Sequence, residues 1–534
     1  MTELEPTTGC QSSAAPARRA RAAILPDVAI AATLMLAALA MRIRWWGGFG
    51  LSDDGIFWNE IRSILDAGIV MPNNQGYRFT WWLPTAAVAQ AFGLTETTMV
   101  VPIVGYSILG IGLLYVFGRM LWGRWGGAVA AALVAVHPMD VTWSTLIAND
   151  FAVSFFSALT VLCTLRALAV DDPVSRQRNW IAAGTALLLC YHSKVTGLLL
   201  APVVALISWV HRDRVRDFNR FLVTVVILFG ASALVSYVFA GTVFGPLRSE
   251  LKFQSILDPA TAAQRQVTRD AMKVFPDMLF ARDYLGDWLN AFYPHALILL
   301  MILAWPLGLR VEPALWGWFA IVFLGMEFNV QRAAGYWVTG FRNARHAHVF
   351  VYPLVLLLTG YLVALRAKRP ALATAAVVVL LVTASVAAVS TATKTQTAFA
   401  DGRAACRFLE RVPPSTVYLD EIIRVRCIYT VPETVPRWTI VSLPADSLQR
   451  RNILAQAPSG YVVTGGGREP MYNGVEIVPL ATEVPTDRRE LVLERSGPVD
   501  PRWRPEPFRV WKLREAPVET KDQESPAGFA PKSS

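Results

Sequence analysis

Long apolar runs recur along the chain, and short polar segments separate them. A run of about 17–25 apolar residues crosses the hydrocarbon core of a bilayer as a helix, and in hydrocarbon only a helix or a closed barrel satisfies its own backbone polar groups. The pattern therefore predicts a mostly α-helical, polytopic transmembrane protein with about eleven spans. We place these spans near residues 23–45, 97–118, 124–142, 150–170, 179–193, 195–210, 219–241, 287–306, 312–329, 347–366 and 370–392.

Composition and charge support this class of protein and indicate its orientation. Hydrophobic residues make up 54% of the chain and charged residues only 17%, against roughly 25% charged residues in soluble domains. The net charge of +10 alone would suggest nucleic-acid binding, but the basic residues fall between alternate spans, as they do in short cytoplasmic loops. We therefore predict a multi-pass membrane protein with a cytoplasmic N-terminus, an extracytoplasmic C-terminus and no nucleic-acid partner.

Polar segments flank the spans and predict further domains. Residues 1–22 are polar and predict a disordered cytoplasmic tail, and the spans occupy residues 23–393. At 394–514, charges, Pro and Gly become frequent, and the stretches STVYLD, RWTIVSL, GYVVTGG and FRVWKL alternate in polarity between two helical patterns. This predicts a small extracytoplasmic α/β domain, followed by a disordered tail at 515–534.

Two cysteines, Cys406 and Cys427, fall in the predicted external domain. They are either two separately buried thiols or a disulfide. An oxidising compartment outside the membrane favours the disulfide.

The predicted first external loop, residues 46–96, brings carboxylates close to the membrane boundary. It begins with GGFGLSDDGIFWNE, which contains Asp53, Asp54 and Glu60, and it is rich in Trp and Phe. Carboxylates in a polar loop need no special explanation, but aromatic rings of this kind lie at the level of the lipid headgroups. The loop is therefore predicted to lie on the membrane as short amphipathic helices, where a partly dehydrated carboxylate is well placed to act as a general base.

Other external segments bring polar groups to the same face, each with an ordinary alternative role. Asn149 and Asp150 begin an apolar run, where one of them would cap a helix, would serve the site, or would do both. Lys194 lies at the edge of two spans, where it either snorkels to the surface or marks a functional site. A loop before residue 347 presents cations that either anchor the span or bind a phosphate bidentately. The polar residues of these segments are His137, Asp140, Asn149, Asp150, Lys194, Arg342, Arg345, His346 and His348.

Several short motifs occur in a characteristic order. Arg42 or Arg44 ends the first span and precedes the acidic pair Asp53-Asp54, and YRFTWWLPTAAVAQAFG follows with Arg78 as its basic residue. Next come GRMLWGRWGG, Asp150 at the opening of a span, Tyr191-His192-Ser193-Lys194, and Arg345-His346 before Pro353. Over roughly residues 25–365 this order resembles that of membrane glycosyltransferases of the GT-C class. Within that class, it is similar to the group of protein O-mannosyltransferases and bacterial aminoarabinose-lipid A transferases.

The resemblance implies a reaction and a location. Enzymes of this group use a sugar linked to a polyprenyl phosphate, and a carboxylate activates the acceptor hydroxyl so that the lipid phosphate leaves with inversion at the anomeric carbon. The implied partners are this lipid-linked donor, membrane lipids, and a glycan, lipid or protein acceptor. The resemblance also implies a cell-envelope enzyme of the bacterial inner membrane.

The resemblance further implies residue roles. Asp53 is the expected base, and Asp54 would orient it or contact the sugar or a metal. Members of the group differ in whether they need a divalent cation, so Mg²⁺ or Mn²⁺ is an optional cofactor, with Asp54 and Asp150 as its candidate ligands. The remaining candidates are supporting acids Asp150 and Glu60, phosphate-binding residues Arg78, Lys194, Arg342 and Arg345, and additional site residues Tyr77, His137 and His346.

Two other functions fit some of these observations. A transporter of polyprenyl-linked sugars would also have many spans and intramembrane charges, but the chain shows no inverted repeat and no matching pair of broken spans. A ligase or polymerase of lipid-linked glycans would need a long external loop, and residues 242–286 form one, with mixed charges.

Overall fold

The computed structural model divides the chain into two compact units, which we describe separately. One contains residues 1–400 and 498–503, and the other contains residues 401–497 and 504–534. The residues that the structure describes are 14–49, 54–68, 70, 76–255, 274–280, 290–333, 336–339, 344–420, 423–424, 427, 430, 435–443, 447–464, 484–495 and 508–515. The domain boundaries inferred from the sequence stay a prediction.

The first unit is almost entirely helical. Its helices are α1 (Ala14–Arg44), α2 (Asp54–Ala67), α3 (Phe79–Phe92), α4 (Glu96–Ala135), α5 (Pro138–Trp143), α6 (Asp150–Ala169), α7 (Pro173–Ser193), α8 (Leu200–Val210), α9 (Phe218–Ala240), α10 (Gly245–Ser255), α11 (Val274–Phe280), α12 (Tyr293–Leu307), α13 (Pro313–Glu327), α14 (Val351–Lys368) and α15 (Pro370–Glu410). The last ten residues of α15, 401–410, belong to the second unit. Two 3-10 helices, Val195–Leu199 and Ala344–Phe350, precede α8 and α14. A short antiparallel hairpin pairs β1 (Val330–Ala333) with β2 (Tyr336–Thr339).

The helices follow the predicted spans, except that α1 begins earlier and α15 ends later than predicted. Within the described residues, six helices are long and apolar enough to cross a membrane, and three shorter apolar helices accompany them. This fits a multi-pass membrane protein, while the count of about eleven spans stays a prediction. Helix α1 begins at Ala14, within the segment predicted to be a disordered tail, because Ala and Arg are strong helix formers.

The predicted second and third spans form one element, α4, which is broken at Gly123. This residue has φ of 74°, a conformation that glycine adopts without steric cost. On either side of the break the two halves approach closely, since a Cβ on Gly118 would lie 2.7 Å from the Gly126 carbonyl oxygen. The motif GRMLWGRWGG therefore builds a tight helical turn in which only hydrogen fits at the contact.

The predicted first external loop contains two short helices, α2 and α3, where short helices were expected. Helix α2 packs on α3 through the Phe57 and Trp81 rings, whose centroids lie 4.7 Å apart. Helix α3 is joined to the end of α7, because the Thr80 hydroxyl lies 2.8 Å from the Ser193 hydroxyl and 3.2 Å from the His192 carbonyl oxygen. The start of α3 is thereby held beside Lys194.

The second unit contains a five-stranded mixed sheet in the order β4-β3-β5-β7-β6. The strands are β3 (Thr416–Asp420), β4 (Thr439–Leu443), β5 (Gly460–Thr464), β6 (Arg489–Arg495) and β7 (Phe508–Leu513), with helix α16 (Ser447–Gln456) before β5. Strand β3 runs parallel to β4 and β5, whereas β7 runs antiparallel to β5 and β6. Four of these strands were predicted, and β6 was not.

The side chains of successive residues of β3 point to opposite faces of this sheet, as they do in any pleated strand. Val417 and Leu419 pack in one cluster together with Cys406 and Cys427, whereas Tyr418 packs in a second cluster. Cys406 and Cys427 form a disulfide, which confirms that prediction.

Candidate functional site

A buried ion pair joins the end of α1 to α5. The Arg42 guanidinium lies 2.5 Å from Asp140 and also donates to the Ser107 hydroxyl and to the carbonyl oxygens of Ala38 and Ala135. Arg42 and Asp140 are both fully buried. Of the two arginines that the sequence offered at this position, Arg42 therefore enters the interior, while Arg44 is exposed.

The pair continues as a chain of hydrogen bonds toward α6. Nε2 of His348 lies 3.0 Å from Asp140, and its Nδ1 lies 2.8 Å from the Ser154 hydroxyl, which also contacts the Asp150 carbonyl oxygen. Burial alone would disfavour the Asp140 carboxylate, but the charge of Arg42 and hydrogen bonds from His348 and Ser107 lower its pKa to about 2. We call Arg42, Ser107, Asp140, His348 and Ser154 the buried network.

A second cluster lies at the start of α6, next to the buried network. The Lys194 ammonium lies 2.9 Å from the Asp150 carboxylate, and both side chains are largely buried. Burial lowers the pKa of Lys194, and the negative charge of Asp150 opposes that shift. The charges of Arg345 and His346 act on Asp150 as well. We call Asp150, Lys194, Arg345, His346 and Arg78 the cationic cluster, since four basic side chains accompany the Asp150 carboxylate.

Arg78 reaches this cluster from the residue before α3. Its charge acts on Lys194, and its guanidinium lies 3.8 Å from the Glu250 carboxylate. The preceding residue, Tyr77, accepts a hydrogen bond through its carbonyl oxygen from His192. Three separate parts of the chain therefore place cations around Asp150.

Asn149 is an unexpected member of this region. Its side chain is almost fully buried, yet neither its amide oxygen nor its amide nitrogen has a hydrogen-bond partner among the described residues. Asn149 precedes α6 without capping it through its side chain, and the Asp150 carboxylate binds Lys194 instead. Capping was the ordinary explanation for these two residues, and the side-chain contacts do not support it.

The remaining predicted site residues are distributed unevenly. Asp54 and Glu60 are both buried on α2, the first of them at its first residue. Asp53 and Arg342 lie outside the described residues. His137 is fully buried, with its ring against Tyr293, and burial lowers its pKa to about 3, so it is a neutral residue of the interior near Asp140.

The residues that the structure describes contain no group of three His, Cys, Asp or Glu side chains arranged to hold a metal ion. Of the two predicted metal ligands, Asp150 is engaged by Lys194. An ammonium at that position competes with a cation for the same oxygen. The other predicted ligand, Asp54, is buried at the first residue of α2, and the metal prediction stays a prediction.

The sequence missed the buried network as a unit. Asp140 and His348 were noted as polar residues of external loops, but nothing in the pattern linked them to each other or to Arg42. Directly bonded residues of the network lie up to 208 positions apart. The hydrophobic periodicity of a sequence cannot predict a contact between residues so far apart.

One family model matches part of the chain. It is described as dolichyl-phosphate-mannose-protein mannosyltransferase, and it covers residues 79–237, which include Asn149, Asp150 and Lys194. No curated protein matches the chain by sequence.

Solved structures match over most of the chain. Crystal structures of ArnT from Cupriavidus metallidurans, one bound to undecaprenyl phosphate and one in the apo state, are 14% identical with a TM-score of 0.51. The matches cover 92% of this chain and 97% and 98% of those chains. The Archaeoglobus fulgidus oligosaccharyltransferase in complex with Zn and sulfate is 13% identical with a TM-score of 0.50, over 81% of this chain and 67% of that chain. The chain therefore has an ArnT-like fold.

Proposed function

We propose that this chain, which the family match and the ArnT-like fold indicate to be a GT-C glycosyltransferase, transfers a sugar from a polyprenyl-phosphate donor to an acceptor hydroxyl. The observation that carries the proposal is the cationic cluster, in which Lys194, Arg345 and Arg78 outnumber the carboxylates of Asp150 and Glu250. A site with this excess of positive charge suits a phosphate group.

The cluster would act when the glycosidic bond to phosphate breaks. As the anomeric carbon separates from the phosphate oxygen, the bonding electrons remain on the polyprenyl phosphate, and its negative charge increases. Preorganised cations that are withdrawn from water stabilise such a developing charge more strongly than solvent does. Asp150 holds the Lys194 ammonium in place through a 2.9 Å contact, which makes Asp150 a supporting residue in this proposal.

The base would come from the acidic pair in the first external loop. In the proposed step, the acceptor oxygen attacks the anomeric carbon from the face opposite the phosphate, and its proton passes to a carboxylate. This displacement inverts the configuration of the sugar. Asp53 is the expected base and Asp54, the buried first residue of α2, would orient it.

Asn149 is the candidate for donor recognition. A buried amide without partners costs free energy, of the order of 1–3 kcal/mol for each missing hydrogen bond, and a ligand that supplies the partners recovers that free energy. Both atoms of the Asn149 amide lack partners among the described residues, immediately before Asp150. We assign it to a hydroxyl of the donor sugar, because an amide both donates and accepts hydrogen bonds.

The nature of the lipid is supported by one neighbour. One of the ArnT crystal structures has undecaprenyl phosphate bound, which is a polyprenyl phosphate of the class proposed here. The proposed location is the inner membrane of a bacterial cell, with the site on the extracytoplasmic side.

The test is sugar transfer in liposomes with a panel of polyprenyl-phosphate sugars. Wild type should release free polyprenyl phosphate, and Asp53→Asn should release none while its thermal unfolding stays unchanged. Arg369→Gln, an exposed cation after α14, serves as the matched control and should retain full activity. Parallel reactions with EDTA, Mg²⁺ and Mn²⁺ determine whether a divalent ion is needed.

Two outcomes would overturn the proposal. If no donor is consumed while lipid-linked sugar crosses the vesicle membrane, the chain is a transporter. If polyprenyl-linked glycans of several sugars are joined but single sugars are not transferred, the chain is a ligase or polymerase.

A further inference from the structure

A second cluster of charges lies at the opposite end of α6 from the cationic cluster. Asp150 and Arg166 are 16 residues apart on this helix, which corresponds to roughly 24 Å along its axis. This separation approaches the thickness of about 30 Å of a bilayer hydrocarbon core. The two clusters are therefore associated with opposite leaflets.

The charges of this second cluster are held rigidly by one carboxylate. Asp27 on α1 is almost fully buried and lies 2.7 Å from Arg119 and 2.9 Å from Arg124, while the Tyr115 hydroxyl donates to the same carboxylate. About half of each guanidinium side chain stays exposed. Asp27 neutralises only one of the two arginine charges and fixes the position of both.

These arginines border a cavity of about 490 Å³ at the turn between the two halves of α4. Arg166, from the end of α6, lines the same cavity, and its side chain makes no hydrogen bond or ion pair with the residues that the structure describes. Gly123 also lines the cavity, and a Cβ on it would meet nothing within 4 Å. The cavity thus presents three guanidinium groups against one carboxylate.

A second, apolar groove of about 450 Å³ runs between α1, α4 and α15. Ile30 and Leu34 on α1 line it, three and seven residues after Asp27 and so on the same helix face. On α4, Ala128 lines the groove four residues after Arg124. From the positions of these residues along α1 and α4, the groove continues from the charged cavity toward the membrane interior.

We propose that this cavity and groove together bind one anionic phospholipid, with its phosphate on Arg119, Arg124 and Arg166 and an acyl chain along Ile30, Leu34 and Ala128. The charge excess matches a phosphate, which guanidinium groups bind bidentately. The adjoining apolar groove suits a hydrocarbon chain, whereas a soluble anion would make no favourable contact with it. The Trp125 ring, which lines the groove and stacks under the Arg366 guanidinium at 4.7 Å, belongs at a headgroup boundary.

The experiment measures binding of short-chain phosphatidylglycerol to the full-length protein in detergent, by native mass spectrometry. Phosphatidylglycerol should bind saturably and phosphatidylcholine should not. Arg166→Gln should weaken the binding about tenfold, and Arg166→Lys should recover most of it. Arg310→Gln is the matched control, because Arg310 is exposed, as Arg166 is, but does not line this cavity. This variant should leave binding unchanged.

Two further measurements separate the headgroup from the chain. Ala128→Phe fills the groove and should weaken lipid binding without affecting inorganic phosphate. If inorganic phosphate binds as tightly as phosphatidylglycerol, the ligand is a soluble anion and the lipid proposal is wrong. Equal loss of binding in the Arg166 and Arg310 variants would also overturn it, since the effect would then reflect net charge. Arg166 lies far from the cationic cluster, so sugar transfer should stay unchanged in each Arg166 variant.

Discussion

Replacing Arg42 with methionine tests the buried network most directly. Methionine retains the apolar length of the side chain but removes the guanidinium, which makes four hydrogen bonds and pairs with Asp140. Since both members of the pair are fully buried, the variant leaves a carboxylate without its main counter-charge. Breaking such a buried pair typically costs about 3–5 kcal/mol of the free energy of unfolding.

The direction of the Asp140 pKa agrees with this expectation. Burial alone would raise the pKa of the carboxyl, whereas the charge of Arg42 and the hydrogen bonds from His348 and Ser107 lower it below its ordinary value. The charged form therefore depends on these partners, and the variant should unfold at a clearly lower temperature.

The assay is thermal unfolding in detergent with a thiol-reactive dye, which detects exposure of the buried free cysteines Cys163 and Cys190. Arg44→Met is the control, because Arg44 is exposed and its side chain makes, among the described residues, only a 5.6 Å contact with the Trp45 ring. We expect its effect to stay within about 0.5 kcal/mol.

A double-mutant cycle with Asp140→Asn measures the coupling between the two residues. Because Arg42 and Asp140 touch, the double variant should be less destabilised than the sum of the single variants, by about 1–3 kcal/mol. If Arg42→Met and Arg44→Met have equal effects, or if the cycle shows no coupling, the interpretation of this pair as a structural ion pair is wrong.

Three further predictions concern activity, pH and the disulfide. Lys194→Met should lower kcat for sugar transfer by about 10²-fold or more, because it removes a cation from the developing phosphate charge; Lys194→Arg should restore part of the rate, and equal rates in both variants would contradict a role for charge. His137 has a folded pKa of about 3 and an ordinary value of 6.5, so the folded state binds fewer protons and stability falls as the pH decreases from 6.5 toward 3. Between pH 7 and pH 5 this residue should cost roughly 2 kcal/mol, and His137→Phe should flatten the dependence of the melting temperature on pH; a slope as steep as that of wild type would refute the assignment. Cys406→Ser with Cys427→Ser opens a loop of 21 residues and should destabilise the second unit by about 3 kcal/mol, measured as its susceptibility to proteolysis; unchanged susceptibility would show that the disulfide adds no stability.

Local patterns in the sequence determined most of the secondary structure. The apolar runs predicted where the long helices lie, because a lipid-facing or buried helix needs uninterrupted hydrocarbon contact over its length. Some ends were predicted less well, since α1 begins nine residues before and α15 ends 18 residues after the predicted span. Alternating stretches predicted β3, β4, β5 and β7 for the same local reason. Strand β6, RELVLER, was missed because its many charges mask the alternation, and only its pairing with β7 reveals it.

The sequence also supplied most members of the candidate site, but it did not determine which of them meet. Lys194 and Asp150 were each predicted as candidates, whereas the structure decides that they form one ion pair across 44 residues. The choice between Arg42 and Arg44 likewise depended on Asp140, 98 residues away. Hydrophobic periodicity indicates which face of a segment is buried. Which charged side chains form an ion pair depends instead on how the helices pack against each other. That packing is a property of the whole chain, and for this reason only the tertiary structure assembled the buried network and the cationic cluster.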